Sequence, residues 1–188
     1  MSTRSPRADA VRNREAIVDA AVALFGRDPR ASLADVATAA GVGRVTLYGH
    51  FSSRDELLEA AVARAIARAD ADLAELDLTG DALAALDRLV RHSWEIVAGF
   101  HGLLVAMDRD FPSEHLRDHH AAPLARLEAL VRRGQDEGSM RTDLSASWLT
   151  TCTTVILHSA AAELRAGRLG DGEPAEIVAA TVRSLMAR

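Results

Sequence analysis

Residues 32–51 read S-L-A-D-V-A-T-A-A-G-V-G-R-V-T-L-Y-G-H-F, and the rest of the chain can be read outward from them. Ser32 is a good helix N-cap, and Asp35 follows at the spacing of a capping box. Leu33, Val36, Ala37 and Ala40 recur at helical spacing and give a first helix one apolar face. Gly41 stands where that helix should stop, at the position where glycine suits a left-handed C′ residue. Val42 is apolar inside the turn and can pin the two helices together. A second helix is expected from about Gly43 to His50, with Val45, Leu47 and Phe51 as its apolar residues and Arg44, Thr46, Tyr48 and His50 as its polar ones.

Two short helices joined by a tight turn form a helix-turn-helix, whose second helix can enter a DNA major groove. The polar set suits that task. Arginine bonds guanine edges bidentately, and threonine offers a hydroxyl or a methyl to a base. Tyrosine and histidine can reach phosphate oxygens and set register. An ordinary helical hairpin with a polar surface is the alternative reading of the same spacing.

The segment A-V-A-L-F-G (21–26), the stretch 32–51 and the continuation S-S-R-D-E-L-L (52–58) together resemble the N-terminal domain of TetR-family transcriptional repressors. In that family the recognition helix closes on tyrosine, one intervening residue, histidine or tyrosine, then phenylalanine; here these are Tyr48, Gly49, His50 and Phe51. A basic residue, an acidic pair and leucines follow, here Arg54, Asp55, Glu56, Leu57 and Leu58. Two positions depart from the pattern. Gly43 stands where a serine often caps the helix, and Gly49 where a longer, often basic side chain is common. The DNA-contacting set that the resemblance implies is Ser32, Arg44, Val45, Thr46, Tyr48, His50 and Arg54.

Composition agrees with a helical protein. The chain has 188 residues, 48% of them hydrophobic but only 4% aromatic, and it is rich in alanine and leucine, which favour helix over sheet. The formal net charge of −5 argues against a generally basic nucleic-acid coat. Its distribution is uneven: residues 1–54 hold eight arginines against five acids, and residues 55–188 hold fourteen against 22. A basic head on an acidic body suits one DNA-contacting end. Cys152 is the single cysteine, so an internal disulfide is excluded. There is neither an N-terminal apolar leader nor a run of about 18 apolar residues, and the expectation is a cytoplasmic protein with no membrane contact.

Taken in order, the pattern predicts an all-α chain of about nine helices: a three-helix helix-turn-helix head, a long helix from about 53 to 76, and a C-terminal helical bundle. The DNA-binding domain is expected at 9–56 and a ligand-binding and dimerisation domain at 57–188. The first helix is expected over 9–26, with Arg12 and Arg14 near its start as further phosphate candidates. A fifth helix should stop near Gly99, because His101-Gly102 breaks the pattern, and a short helix should follow to Asp110. Ser113 caps the next, which Pro123 ends or kinks near Ala121 before it resumes to Asp136. Long helices over 144–166 and 174–186 close the chain. The first of these is apolar on most sides and must be covered on most sides.

The resemblance implies a homodimer through these last two helices (about 145–166 and 175–186), a double-stranded operator as partner, and an effector pocket among the middle helices. The candidate pocket residues are Trp94, Phe100, Met107, Phe111, Trp148 and Cys152, with polar points from His92, His101, Thr151 or His158. Plain core packing is the competing account of each. No cofactor is expected. His115 and His119 stand four apart on one helical face beside His120, a spacing that can hold zinc if a third ligand converges. No H-E-x-x-H and no paired cysteines support a metal. An all-helical enzyme or metal-binding protein using these histidines is the alternative function, although no nucleophile elbow or phosphate-binding glycine loop accompanies them.

Overall fold

The computed structural model describes residues 6–110, 121–169 and 173–188. These form eight α-helices: α1 (Pro6–Arg27), α2 (Leu33–Ala39), α3 (Arg44–His50), α4 (Arg54–Ala74), α5 (Ala82–Asp110), α6 (Ala121–Asp136), α7 (Ala146–Arg165) and α8 (Pro174–Met186). The all-α expectation holds. The count is eight among the described residues, against about nine, because one expected break is absent. The helix expected to start at Ser113 falls in residues 111–120, outside the described residues.

The absent break is at His101-Gly102, through which α5 runs without interruption for 29 residues. Gly102 is there for a close approach and not as a helix stop. A Cβ on it would overlap the carbonyl oxygen of Gly26, at the end of α1, and would stand 2.7 Å from the Gly26 carbonyl carbon and 2.8 Å from the Phe25 carbonyl oxygen. Only a residue without a side chain lets α5 pass the α1 backbone at this distance. The first helix also begins earlier than expected, at Pro6, a residue that the first turn tolerates because its missing N–H has no intrahelical partner there.

The described chain divides into two compact units. The first comprises 6–67 with 102–110, and the second 68–101 with 121–169 and 173–188. In the first unit, α1 packs on α2 and α3, and α2 on α3. Its core is built on Ile17, Phe25, Leu47, Phe51, Leu57 and Leu58, all at most 1% exposed. Arg54 caps this core from outside: its guanidinium donates to the carbonyl oxygen of Pro29 at 2.6 Å and lies over the Phe25 ring, 4.9 Å from its centre. Glu56 accepts from the N–H and hydroxyl of Ser52, at 2.7 and 2.8 Å, while its own N–H donates to Ser53 Oγ at 3.1 Å. Ser53 is thus the cap of α4, and the reciprocal bond goes one residue further back.

In the second unit, α6 packs on α7 and α7 on α8. Leu86, Trp94, Val131, Leu149, Val182 and Met186 are buried in its core. Thr150 and Thr153 are buried as well, and Thr153 satisfies its hydroxyl on the Leu149 carbonyl at 2.8 Å. A four-membered ion-pair network ties α5 to α8: Asp87 accepts from Arg91 at 2.6 Å and from Arg183, and Glu176 accepts from Arg91 and from Arg183 at 2.7 Å. Burial alone would raise the Asp87 carboxyl, but the hydrogen bonds from Arg91 and Arg183 outweigh it and hold the group below the usual carboxylate range. The bonds from Arg91 and Arg183 do the same for Glu176. Arg133 of α6 reaches the loop before α5, donating to the carbonyl oxygens of Leu78 at 2.8 Å and Gly80 at 3.2 Å. No helix of the described residues is long and apolar enough to cross a membrane.

Candidate nucleic-acid interface

The site is assembled by local hydrogen bonding before any packing is considered. Ser32 takes an extended backbone (φ −88°, ψ 162°) and caps α2. Its N–H and hydroxyl donate to Asp35 Oδ2 at 2.9 and 2.6 Å, while the Asp35 N–H returns to Ser32 Oγ at 3.3 Å. These bonds, from the Ser32 hydroxyl first, hold the Asp35 carboxyl below its usual range, with a further contribution from the positive charge of Arg44. At the other end of α2, Gly41 is left-handed (φ 68°). The Val42 N–H donates to the Ala37 carbonyl at 3.0 Å and the Gly41 N–H to the Thr38 carbonyl at 3.1 Å. This pair of bonds closes a helix C-terminus and redirects the chain at once. The two helices and the turn therefore stand where the sequence places them.

Gly43 is the N-cap of α3, with an extended backbone (φ −71°, ψ 151°) and no side-chain cap. Leu47 is fully buried and Phe51 nearly so, so the helix is anchored on one face. The opposite face is open. Arg44, Val45, Tyr48 and Gly49 are exposed, Thr46 and His50 are half-buried, and Val45 is 88% exposed. A guanidinium, a branched apolar side chain and a phenol thus project together from one seven-residue helix. Each matches a group that a duplex offers: a guanine edge, a thymine methyl and a phosphate.

The remaining members of the expected contact set are held by the chain itself. Ser32 is committed to its capping box. Arg54 is bound to the Pro29 carbonyl and the Phe25 ring. Arg12 pairs with Asp9. Arg14 lies over the Phe51 ring, 5.1 Å from its centre, and its charge helps, after the Ser52 bonds, to keep Glu56 ionised. Sequence spacing gave no sign of these two arginine–ring contacts, because they join residues 29 and 37 positions apart.

The residues expected to hold an effector are spread more widely. In the second unit Trp94 is buried, Phe100 and Cys152 are half-buried, and Trp148 is 55% exposed on the outer side of α7. Met107 lies on the part of α5 that belongs to the first unit, with its side chain outside the described residues, as is Phe111 altogether. Of the polar points, His92 and His158 are half-buried, and Thr151 donates to the Ser147 carbonyl at 3.0 Å. An open groove of about 440 Å³ runs along α6, lined by Ala125, Glu128, Ala129, Arg132, Arg133 and Asp136, none of them among the expected effector residues. His115, His119 and His120 lie outside the described residues. Among those described, no group of three or more histidines, cysteines or carboxylates is placed to hold a metal ion.

α7 leaves an apolar row on its outer side. Trp148, Cys152 and Val155 recur at i, i+4 and i+7, with Trp148 and Val155 more than half exposed, and Leu164 lies further along at 39%. On α8, Val178, Ala179, Val182 and Met186 face the core, whereas Thr181 is exposed and Ile177 and Leu185 are half-buried.

Comparison with known proteins agrees with this geometry. The HTH-type transcriptional repressor LfrR of Mycolicibacterium smegmatis is 37% identical over 86 residues, which is 45% of this chain and 46% of that protein. That match spans about half of LfrR's length. The HTH-type transcriptional regulator NfxB of Pseudomonas aeruginosa is 29% identical over 167 residues, 82% of this chain and 83% of its own. The crystal structure of the TetR-like regulator LfrR from Mycobacterium smegmatis in complex with proflavine shares the fold, with a TM-score of 0.70 at 23% identity, covering 95% of this chain and 98% of that one. Both relatives carry the name of a transcriptional repressor or regulator, which agrees with the regulator reading and gives no support to the enzyme alternative. Residues 17–61, which contain α2, the turn and α3, match the model of the family described as bacterial regulatory proteins, tetR family.

Proposed function

We propose that the chain is a TetR-family regulator acting as a homodimeric, ligand-released repressor. Residues 9–56 form its DNA-binding domain, and residues 57–188 its ligand-binding and dimerisation domain. Two copies of α3 read a pseudopalindromic operator, with half-sites about one helical turn apart or a multiple of it. Arg44, Val45 and Thr46 contact bases. Tyr48 and His50 contact phosphates, and Ser32 and Arg54 are assigned further contacts with the duplex. The observation that carries this reading is the open face of α3, where Arg44, Val45 and Tyr48 project together from a helix anchored by buried Leu47 and Phe51.

The dimer contact is assigned to the outer faces of α7 and α8. A row that leaves Trp148 and Val155 more than half exposed on either side of half-buried Cys152 is costly for a single chain and is relieved by a copy of itself. The effector is assigned to the second unit, near Trp94, Phe100, Trp148 and Cys152, and is a small apolar or amphipathic molecule; LfrR, which is similar to this chain over 86 residues and in fold, has been solved in complex with proflavine. Such a ligand releases DNA only through a higher affinity for the conformation whose two heads no longer match the half-sites. The protein works in the cytoplasm.

Sedimentation of the protein alone and bound to a duplex that it selects from a random pool tests the assembly. The expected result is a dimer in both states, protecting two half-sites, and a monomer on DNA after Val155→Arg or Trp148→Arg. A monomeric wild-type protein protecting a single half-site would overturn the dimeric reading.

A further inference from the structure

Gly49 is the sixth of the seven residues of α3. Glycine weakens a helix relative to alanine, so a fold-based reason for it should be visible. None is. Its φ is not among the positive values, which belong to Gly41, Gly80, Gly138 and Gly167. A Cβ built on it meets nothing within 4 Å, and the residue is exposed. The same short helix already lacks a side-chain cap at Gly43, which makes a second weakening residue harder to explain from within the chain.

One turn earlier on the same face stands Val45, an apolar side chain that is 88% exposed and contributes nothing to the core. Positions 45 and 49 are i and i+4 neighbours. Both are locally unfavourable for the free protein, and they are adjacent. Local inconsistency of this kind marks a surface shaped for something outside the chain. A lysine or arginine at 49 would reach a phosphate and add affinity for every sequence alike. A bare backbone adds none. It offers room, and an apolar neighbour beside that room suits an apolar base edge, which in the major groove is the thymine methyl.

We propose that Gly49 is a specificity-determining position: the missing side chain lets the duplex close on the last turn of α3, so that Val45 is pressed against an apolar base edge. The inference rests on the DNA-binding reading and goes beyond it by assigning discrimination to a residue that makes no side-chain contact.

The test compares wild type, Gly49→Ala and Gly49→Lys on two probes, the duplex that wild type selects from a random pool and a scrambled duplex, with the melting temperature of each protein recorded alongside. Both variants should melt at or above wild type. Gly49→Ala should bind the selected duplex at least about tenfold more weakly, with its affinity for the scrambled one unchanged. Gly49→Lys should narrow the ratio between the two probes. Gly49→Ala binding the selected duplex as tightly as wild type would overturn the proposal, as would Gly49→Lys tightening both probes with the ratio preserved. A lower melting temperature for both variants would assign Gly49 to the fold and overturn it too. If wild type selects no duplex at all, the DNA-binding reading itself fails and takes the inference with it. That outcome is distinct from wild type selecting a duplex that Gly49→Ala binds equally well.

Discussion

Replacing Gly102 by alanine should destabilise the protein, although it places a better helix former in the interior of a 29-residue helix. The new Cβ would lie 2.7 Å from the Gly26 carbonyl carbon, and ordinary van der Waals contact begins at 3.4 Å. The difference is 0.7 Å, and the overlap with the Gly26 oxygen is larger still. All the atoms met are backbone, so no rotamer change relieves the clash, and α5 and α1 must move apart. Overpacking of this kind costs about 1–3 kcal/mol, against a gain of up to about 1 kcal/mol from helix propensity. Gly99→Ala on the same helix is the matched control, because a Cβ there meets nothing within 4 Å and only the propensity gain remains. For a protein of this size each kcal/mol moves the midpoint by about 2–4 °C. Thermal melting followed by far-UV circular dichroism should therefore show Gly102→Ala below wild type by several degrees and Gly99→Ala above it. Equal midpoints for the two variants would refute the close-approach account of Gly102.

Arg44→Ala should relax the preference at one base position of the selected site by about 1–3 kcal/mol, whereas His50→Ala should weaken binding to all duplexes alike; measured affinities for single-base variants of the site separate the two behaviours. Phe51→Ala should cost about 3–5 kcal/mol, since the ring is 1% exposed, and a urea unfolding curve checks it; a loss below about 1 kcal/mol would mean that the ring is not the anchor of α3. The Asp87–Glu176 network predicts a pH dependence. Both carboxyls sit below their usual range in the folded protein, so their contribution is present at neutral pH and is lost as pH falls below about 4. The urea midpoint should drop over that interval and drop less in Asp87→Asn; identical pH profiles for the two proteins would contradict the assignment.

The parts of the structure legible in the sequence are those written by local rules. Ser32, Asp35 and Gly41 act on groups within five residues of themselves, so the boundaries of α2 and the turn could be read directly. Leu47 and Phe51 are buried and Val45 is exposed for a different reason: the side of α3 that meets the core is set by α1, far away in sequence. Gly102 was misread as a break because its role depends on Gly26, 76 positions earlier. Spacing alone cannot tell a glycine that stops a helix from one that lets two helices touch. Arg14 and Arg54 are similar cases. Their charge was visible, but their stacking on Phe51 and Phe25 exists only in the folded chain. The second unit was the least legible. Its helices show clear apolar periodicity, yet periodicity does not distinguish the buried Trp94 from the outward Trp148.

The most direct test of the account is binding of the purified protein to the DNA upstream of its own gene, titrated against salt with random duplex as control. Sequence reading by α3 predicts tight binding that weakens with salt, and a preference over random DNA of about a thousandfold or more. Equal affinity for both duplexes at every salt concentration, with the protein folded and dimeric, would contradict a sequence-reading role for α3 at that site.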